Sequence, residues 1–266
     1  MESKNTPYSF DINTFNIKLE TEWLGREFLF IDEIDSTNTL LMGKNSEFKA
    51  NGSVLLAEKQ LAGKGRMDRT WYSSKFENLT FSILISGERY LKANPLVYNF
   101  GAVVAAAKTI ESLFQLYTKV KWPNDLLISE KKICGILCES IISGERLSRL
   151  VIGVGLNVNQ TNFQGEYNII PTSLMKELGE PAQRERVLAE FLNEFEEIIE
   201  KGIIAPAKIL KEWKDRCPHF GDRIGIKQGE KIYNGVFDDL DENGALILRV
   251  DGEYMKFHYG EVSLIR

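Results

Sequence analysis

A glycine- and cation-rich segment between two apolar runs constrains this chain more than any other part of its sequence. Residues 60–71 read Gln-Leu-Ala-Gly-Lys-Gly-Arg-Met-Asp-Arg-Thr-Trp. Glycines destabilise the interior of helices and strands, and cations are not buried without partners, so this segment is predicted to be a flexible loop. It joins predicted strands at 53–57 and 79–85. Its glycine N–H groups and its three cations, Lys64, Arg66 and Arg69, suit an anionic ligand.

A solvated surface loop is the alternative interpretation of this segment. Trp71 argues against it, because an indole gains little from water but can close over an apolar or planar ligand when the loop orders. Ordering about ten residues costs on the order of 10 kcal/mol in backbone entropy. The sequence therefore favours a ligand that is held tightly.

Composition and charge exclude several classes of protein. The chain has 266 residues, of which 43% are hydrophobic and 27% charged, so one large domain and one small domain are expected. No run is apolar enough for a signal peptide or a membrane span, which predicts a cytoplasmic location. The net charge of -5 argues against general nucleic-acid binding. Three cysteines and two histidines without metal-ligand spacing predict buried free thiols and no structural metal: Cys134, Cys138, Cys217, His219 and His258.

The first half of the chain alternates predicted strands and helices. A strand at 28–34 precedes a helix that runs to about residue 42, with Ser36 and Thr37 among its candidate N-caps. Their hydroxyls either cap this helix or, together with its free N–H groups, bind a small polar ligand. Apolar residues at spacings of three and four predict a long buried helix over 96–114.

An antiparallel meander is predicted next. Residues 121–125 (Lys-Trp-Pro-Asn-Asp) form a turn, and strands follow at 126–128, 132–139 and 150–159. Gly153 and Gly155 lack the third glycine of a dinucleotide-binding motif, so they are expected to let another backbone or a nucleotide lie close to the strand.

Further helices are predicted near 171–174, 187–199 and 206–213. From Cys217 onward, short strands separated by glycines predict a small all-β barrel. This change from predicted helices to short predicted strands places a domain boundary near Arg216 and divides the chain into domains at 1–216 and 217–266.

Four stretches resemble the successive signatures of biotin protein ligases: residues 60–71, 121–125, 132–137 and 153–159. The resemblance runs from about Phe28 to the end of the chain. It implies an α+β fold, in which a mixed sheet with helices on one face is followed by an SH3-like barrel. It also implies the ligase-only type, without an N-terminal DNA-binding domain, so no DNA binding is expected.

The activity implied by this resemblance has two steps. Biotin and ATP, with Mg²⁺, give biotinyl-5'-AMP and pyrophosphate, and biotin then passes to a lysine of a biotin carboxyl carrier protein of acetyl-CoA carboxylase or a related carboxylase. A homodimer is left open. Three alternatives also remain: a lipoate protein ligase, a non-catalytic binding module that uses its barrel, and a nucleic-acid-binding regulator.

The resemblance also assigns roles to individual residues. Lys132 and Arg66 are implied to be catalytic, and Asp125 to lie near the metal. The implied biotin-binding residues are Ser36, Thr37, Asn38, Gln60, Lys64, Gly65, Arg66 and Lys132. The implied ATP- and adenylate-binding residues are Arg66, Arg69, Trp71, Asn124, Asp125 and Asn157.

Two positions depart from the usual pattern of the family. Lys64 stands where arginine is usual, so a bidentate contact is lost there. Asp68 stands where glycine is usual, which places a carboxylate beside Arg66 and Arg69. We hypothesise that Asp68 makes the adenylate leave faster than it leaves a protein with glycine at this position.

Overall fold

A seven-stranded mixed sheet forms the body of the molecule. The computed structural model describes residues 9–43, 48–67, 69–144 and 146–265. The strands have the order β1-β2-β3-β7-β6-β5-β4; β1 and β2 are parallel, and all other neighbours are antiparallel. Their bounds are β1 Phe28–Ile34, β2 Val54–Gln60, β3 Leu79–Ile85, β4 Lys119–Lys121, β5 Asp125–Ile128, β6 Lys131–Ser143 and β7 Arg146–Leu156. The predicted mixed sheet and its meander are confirmed.

One face of this sheet is covered by the long helices. These are α4 (Leu96–Phe114), α6 (Arg184–Ile204) and α7 (Pro206–Lys214), and α1 (Ile12–Lys18) packs against α6. Alternate strand residues such as Phe81 and Val154 point into the core beneath these helices, as the period of two requires. The helix α1 was not predicted; its Phe15 is fully buried, with its ring centre 4.5 Å from that of Phe28.

In the described part of the chain, a short helix lies near the centre of the opposite face, which also carries the site described below. This helix, α2 (Thr37–Met42), begins at Ser36, whose Oγ accepts a hydrogen bond from the Thr39 N–H at 3.4 Å. Leu41 packs on Leu55 and Leu84 of the strands below. The expectation of helices on one face therefore describes the long helices, whereas α2 lies on the other side of the sheet.

A five-stranded antiparallel sheet follows the helices, with the order β11-β10-β9-β8-β12. The bounds are β8 Arg223–Gln228, β9 Lys231–Leu240, β10 Leu246–Val250, β11 Glu253–Phe257 and β12 Glu261–Leu264. Only β12 was not predicted. Trp122 is buried against this sheet, and its Nε1 donates to the carbonyl of Gly244 at 3.0 Å.

Two short helices complete the described chain, α3 (Glu88–Leu91) and α5 (Leu174–Leu178). Across the described ranges, no helix has both the length and the apolar character needed to cross a bilayer.

Candidate active site

A cavity of about 430 Å³ opens on the sheet face that carries α2. The structure brings every residue of the predicted site to the wall of this cavity, although those residues come from five separate parts of the chain. They are Ser36, Thr37, Asn38, Gln60, Lys64, Gly65, Arg66, Arg69, Trp71, Asn124, Asp125, Lys132 and Asn157. Their placement is thus established, whereas their individual roles stay predictions.

Three strand glycines form the floor of the cavity. Gly135 of β6 pairs with Gly155 of β7, and Gly153 lies two residues before Gly155 on the same strand face. A Cβ atom at position 153 would lie 2.4 Å from Asn38 Oδ1, and one at position 155 would lie 2.3 Å from Trp71 Cε2. Because these positions lack a Cβ, the side chains of Asn38 and Trp71 can lie against the strand backbone; any larger residue would displace them.

One end of the cavity is polar and uncharged. The Thr37 N–H donates to Gln60 Oε1 at 2.8 Å, and the Thr37 hydroxyl lies 3.0 Å from the same oxygen. Asn38 lies beside them and is nearly fully buried. Ser36 caps α2, as one of the two sequence interpretations expected, and it also lines the cavity; its binding of a ligand stays a prediction.

The other end of the cavity is cationic. The Lys132 Nζ lies 2.6 Å from Asp125 Oδ1, and Arg66 Nη1 donates to Asn124 Oδ1 at 3.2 Å. Lys121 of β4 also lines this end of the cavity and pairs with Asp125 of β5 in the sheet. Burial lowers the pKa of Arg66 and of Lys121, and the charge of Asp125 opposes both shifts. Because the attraction of Asp125 does not fully offset the loss of hydration of these cations, this end of the cavity favours an anionic ligand.

Lys121 was quoted as part of a motif but was given no role from the sequence. Its position at the start of the Lys-Trp-Pro-Asn-Asp run, directly before the turn that brings Asp125 opposite it, is the signal that could have identified it.

The glycine- and cation-rich segment forms a short hairpin in the structure, which we call the 60–71 hairpin. The Gly65 N–H donates to the Arg69 carbonyl at 2.7 Å, and the Trp71 N–H donates to the Gly63 carbonyl at 2.9 Å. Arg69 forms an ion pair with Glu261 of β12. The predicted loop is therefore tied to the second sheet. Asp68, on which the hypothesis of faster adenylate release depends, lies outside the described residues.

Two buried polar atoms of the cavity have no hydrogen-bond partner within the described part of the chain. These are Trp71 Nε1 and Asn157 Oδ1; the Asn157 Nδ2 donates to the Thr172 carbonyl at 2.9 Å. An unsatisfied buried polar atom costs about 1–3 kcal/mol. A ligand that brings a donor to Asn157 Oδ1 would recover this free energy.

The described residues contain no cluster of three or more histidine, cysteine or acidic side chains that could hold a metal ion. Mg²⁺ that arrives on phosphates needs only one or two protein carboxylates, and Asp125 fits that requirement.

The prediction of buried free thiols holds for two of the three cysteines. Cys134 and Cys217 are buried, Cys138 is half-buried, and all three are free thiols. Burial raises the pKa of each thiol to about 12.

Comparison with known proteins places this cavity in context. The chain matches the Biotin/lipoate A/B protein ligase family over residues 30–157 and the Biotin protein ligase C terminal domain over residues 219–265. It is 30% identical over 251 residues to the bifunctional ligase/repressor BirA of Bacillus subtilis, covering 92% of this chain and 76% of that protein. It is 29% identical over 250 residues to the biotin--[acetyl-CoA-carboxylase] ligase of Mycobacterium tuberculosis, covering 91% of this chain and 90% of that protein.

A similar fold occurs in a solved structure. The biotin protein ligase from Aquifex aeolicus in complex with biotin and ATP superimposes with a TM-score of 0.77 at 26% identity, covering 91% of this chain and 99% of that one. The predicted α+β class, with its mixed sheet and C-terminal antiparallel sheet, agrees with that structure.

Proposed function

This chain belongs to the biotin protein ligase family, and we propose from that premise that it activates biotin with ATP and transfers it to a lysine of a carrier protein. The observation that carries this proposal is the division of one cavity into a neutral polar end and a cationic end. Biotin has the matching form, because an uncharged cyclic urea and a carboxylate lie at its two ends.

The neutral end would hold the urea. Thr37, Asn38 and Gln60 supply amide and hydroxyl groups there, in a wall with two short contacts to Gln60 Oε1. The dithiolane ring of lipoate offers no N–H or carbonyl to such a wall, and sites built on hydrogen bonds reject ligands that lack them. This contrast favours biotin over lipoate as the acid.

The cationic end would hold the reacting groups. A carboxylate oxygen of biotin attacks the α-phosphorus of ATP, the new P–O bond forms, and the bond to the bridging oxygen breaks as pyrophosphate leaves. Two anions at 4 Å repel each other by about 4 kcal/mol at an effective dielectric near 20. Arg66, Lys121 and Lys132 converge at this end and would offset that repulsion, with Lys64 in support.

The nucleotide would lie between the 60–71 hairpin and β7. The free Asn157 Oδ1 can accept a hydrogen bond from the adenine amino group, while Asn124 holds Arg66 in place. Trp71 would cover the adenylate and exclude water from the mixed anhydride. Arg69 would face the phosphates, and that role competes with its ion pair to Glu261.

Mg²⁺ bound to the phosphates would neutralise part of their charge. Asp125 is the carboxylate placed to accept it, and its present partner is the Lys132 ammonium.

The second step requires an amine. A lysine amine of the carrier forms a C–N bond with the biotinyl carbonyl carbon, the C–O bond to AMP breaks, and the amine loses a proton. Lys132 would stabilise the negative charge that develops on the carbonyl oxygen in both steps. The carrier would be the biotin carboxyl carrier protein of acetyl-CoA carboxylase or a related carboxylase.

We also propose that the chain divides near Arg216 into a catalytic domain, 1–216, and a C-terminal domain, 217–266. The start of β8 at Arg223 and the family match over 219–265 support this division.

The test measures pyrophosphate release from ATP and Mg²⁺ with labelled biotin, with lipoate or with neither acid. An unlabelled biotin-acceptor domain is then added, and transfer of the label to it is measured. Release that needs biotin, followed by label on the acceptor lysine, is expected. The Lys132→Ala variant should lose both steps, whereas Lys208→Ala, an exposed lysine of α7, should keep them. Pyrophosphate release with lipoate but not with biotin would indicate a lipoate protein ligase. A folded protein that releases no pyrophosphate with either acid would refute the proposal.

A further inference from the structure

A carboxylate behind the neutral end of the cavity controls its hydrogen bonding. Glu139 lies on β6, four residues after Gly135 and therefore on the same face of the strand. It is half-buried, and its Oε2 lies 2.7 Å from Asn38 Nδ2. No role was given to Glu139 from the sequence.

The carboxylate fixes the orientation of the Asn38 amide. A carboxylate and a backbone carbonyl only accept hydrogen bonds, and Asn38 Nδ2 faces both Glu139 and the carbonyl of Leu137, which lies 3.3 Å away. If the amide were turned over, its oxygen would face two acceptors. Asn38 Oδ1 must therefore point the other way, toward Ser82 of β3.

Ser82 passes this orientation on to Thr37. The Ser82 side chain is fully buried, with its Oγ 2.5 Å from Asn38 Oδ1 and 2.6 Å from Thr37 Oγ1. A hydroxyl has one proton, and Asn38 Oδ1 can only accept, so the Ser82 proton is committed to Asn38.

Among the described residues, the Thr37 hydroxyl is left with two protein oxygens as hydrogen-bond neighbours, Ser82 Oγ and, at 3.0 Å, Gln60 Oε1. Whichever of these receives its proton, the proton stays within the wall. Toward the cavity, Thr37 therefore offers only a lone pair, which accepts a hydrogen bond from a ligand N–H. Gln60 offers the opposite polarity, because the Thr37 N–H occupies its Oε1 and leaves its Nε2 as a donor.

We propose that Glu139 is a positioning residue that acts through Asn38 and Ser82 to make the Thr37 hydroxyl an acceptor for a ligand N–H. This inference rests on the proposed function, since the ligand N–H belongs to the cyclic urea of biotin. Glu139 then selects the acid substrate without contacting it.

Glu139→Gln is the informative substitution, because it keeps the shape of the side chain but can donate as well as accept. The Asn38 amide then keeps only the longer contact to the Leu137 carbonyl as an obligate acceptor, so its orientation, the Ser82 proton and the polarity of the Thr37 hydroxyl are held less strongly. The dissociation constant of biotin, measured by calorimetry without ATP, should rise about tenfold, as expected for one hydrogen bond. The KM of ATP and the kcat at saturating biotin should change less than about twofold, because Glu139, Asn38 and Ser82 do not contact the proposed nucleotide site.

A double-mutant cycle separates this relay from a general structural effect. Ser82→Ala breaks the relay, so adding Glu139→Gln to it should change biotin affinity by less than about twofold. Glu253→Gln, at an exposed acid of β11, is the matched control and should bind as the wild type does. If Glu139→Gln fails to fold, Ser82→Ala alone tests the relay and should show the same selective loss of biotin affinity.

Two results would overturn the inference in distinguishable ways. Wild-type biotin affinity in Glu139→Gln, or effects that multiply fully in the double variant, would exclude the relay while leaving the ligase assignment intact. Wild-type protein that neither binds biotin nor releases pyrophosphate with it would overturn the proposed function and this inference together.

Discussion

Gly155→Ala should expel Trp71 from its place on the cavity floor and so weaken retention of the adenylate. The added Cβ would lie 2.3 Å from Trp71 Cε2 and 2.4 Å from Cζ2. Carbon atoms pack at about 3.5–4.0 Å, so the indole would have to move by more than about 1 Å. The ring lies directly over the strand backbone at Gly155, so the added Cβ would push it off the floor of the cavity.

The size of the effect follows from the burial of the indole. A fully buried aromatic ring removes about 150–250 Å² from water, which is worth roughly 4–6 kcal/mol at about 25 cal/mol per Å². Trp71 is partly buried, so about 2 kcal/mol of this contact is at stake. That loss corresponds to about 30-fold faster release of the adenylate.

The assay follows retention of adenylate formed from biotin and α-labelled ATP on a filter, after dilution into unlabelled substrates. Trp71→Ala should release the adenylate at a similarly increased rate, and the Gly155→Ala change added to it should cost less than about threefold. Gly225→Ala, in β8, provides a strand-glycine control, because the atoms nearest its added Cβ belong to flexible side chains. A wild-type release rate in Gly155→Ala, or the full 30-fold effect in the Trp71→Ala background, would refute the proposed role of Trp71.

Three further predictions concern titration, stability and reactivity. Because burial lowers the pKa of Lys121, its ammonium loses its proton at a lower pH than that of an ordinary lysine. The kcat/KM of pyrophosphate release should therefore begin to fall below the pH at which an exposed lysine titrates. Lys121→Arg should move this fall to higher pH. Glu58→Gln removes the carboxylate of a buried bidentate pair with Arg184, at 2.7 and 2.8 Å; thermal unfolding should show a loss of about 3–5 kcal/mol, or on the order of 10 °C, whereas the exposed Glu197→Gln should stay within about 0.5 kcal/mol. The cysteine thiols, with pKa values raised to about 12, should resist iodoacetamide at neutral pH until the protein is unfolded, and labelling of Cys134 or Cys217 in the native protein would contradict their burial.

The fold was predictable wherever the signal is local. The helices α4 and α6 follow from apolar residues at spacings of three and four, and the meander follows from short apolar runs between turns. The helix α1 has seven residues and one buried side chain, Phe15, so its stability comes from packing on Phe10 and Phe28 rather than from its own sequence. The strand β12 has only four residues and is defined by pairing with β8.

The same limit applies to the candidate site. Motif resemblance predicted the thirteen site residues named above, all of which line the cavity, but not other residues of its wall such as Lys121. The 60–71 hairpin was predicted to be a flexible loop, because the ion pair that links it to the second sheet cannot be read from the local sequence. That ion pair joins Arg69 to Glu261, 192 positions apart in the chain. Lys121, Glu139 and Ser82 were missed for a related reason: each acts through a partner on another strand or helix, and a linear pattern does not show which residues face each other across a sheet.

The glycine floor has a consequence for how such a site can change during evolution or in the laboratory. Gly135, Gly153 and Gly155 present only main-chain atoms to the cavity, and every substitution there adds volume. Mutation of the floor can therefore narrow the set of accepted acids but cannot widen it. Variants that accept larger or differently polar acids must arise along α2 and the 60–71 hairpin, and libraries for altered substrate scope are best confined to those two segments.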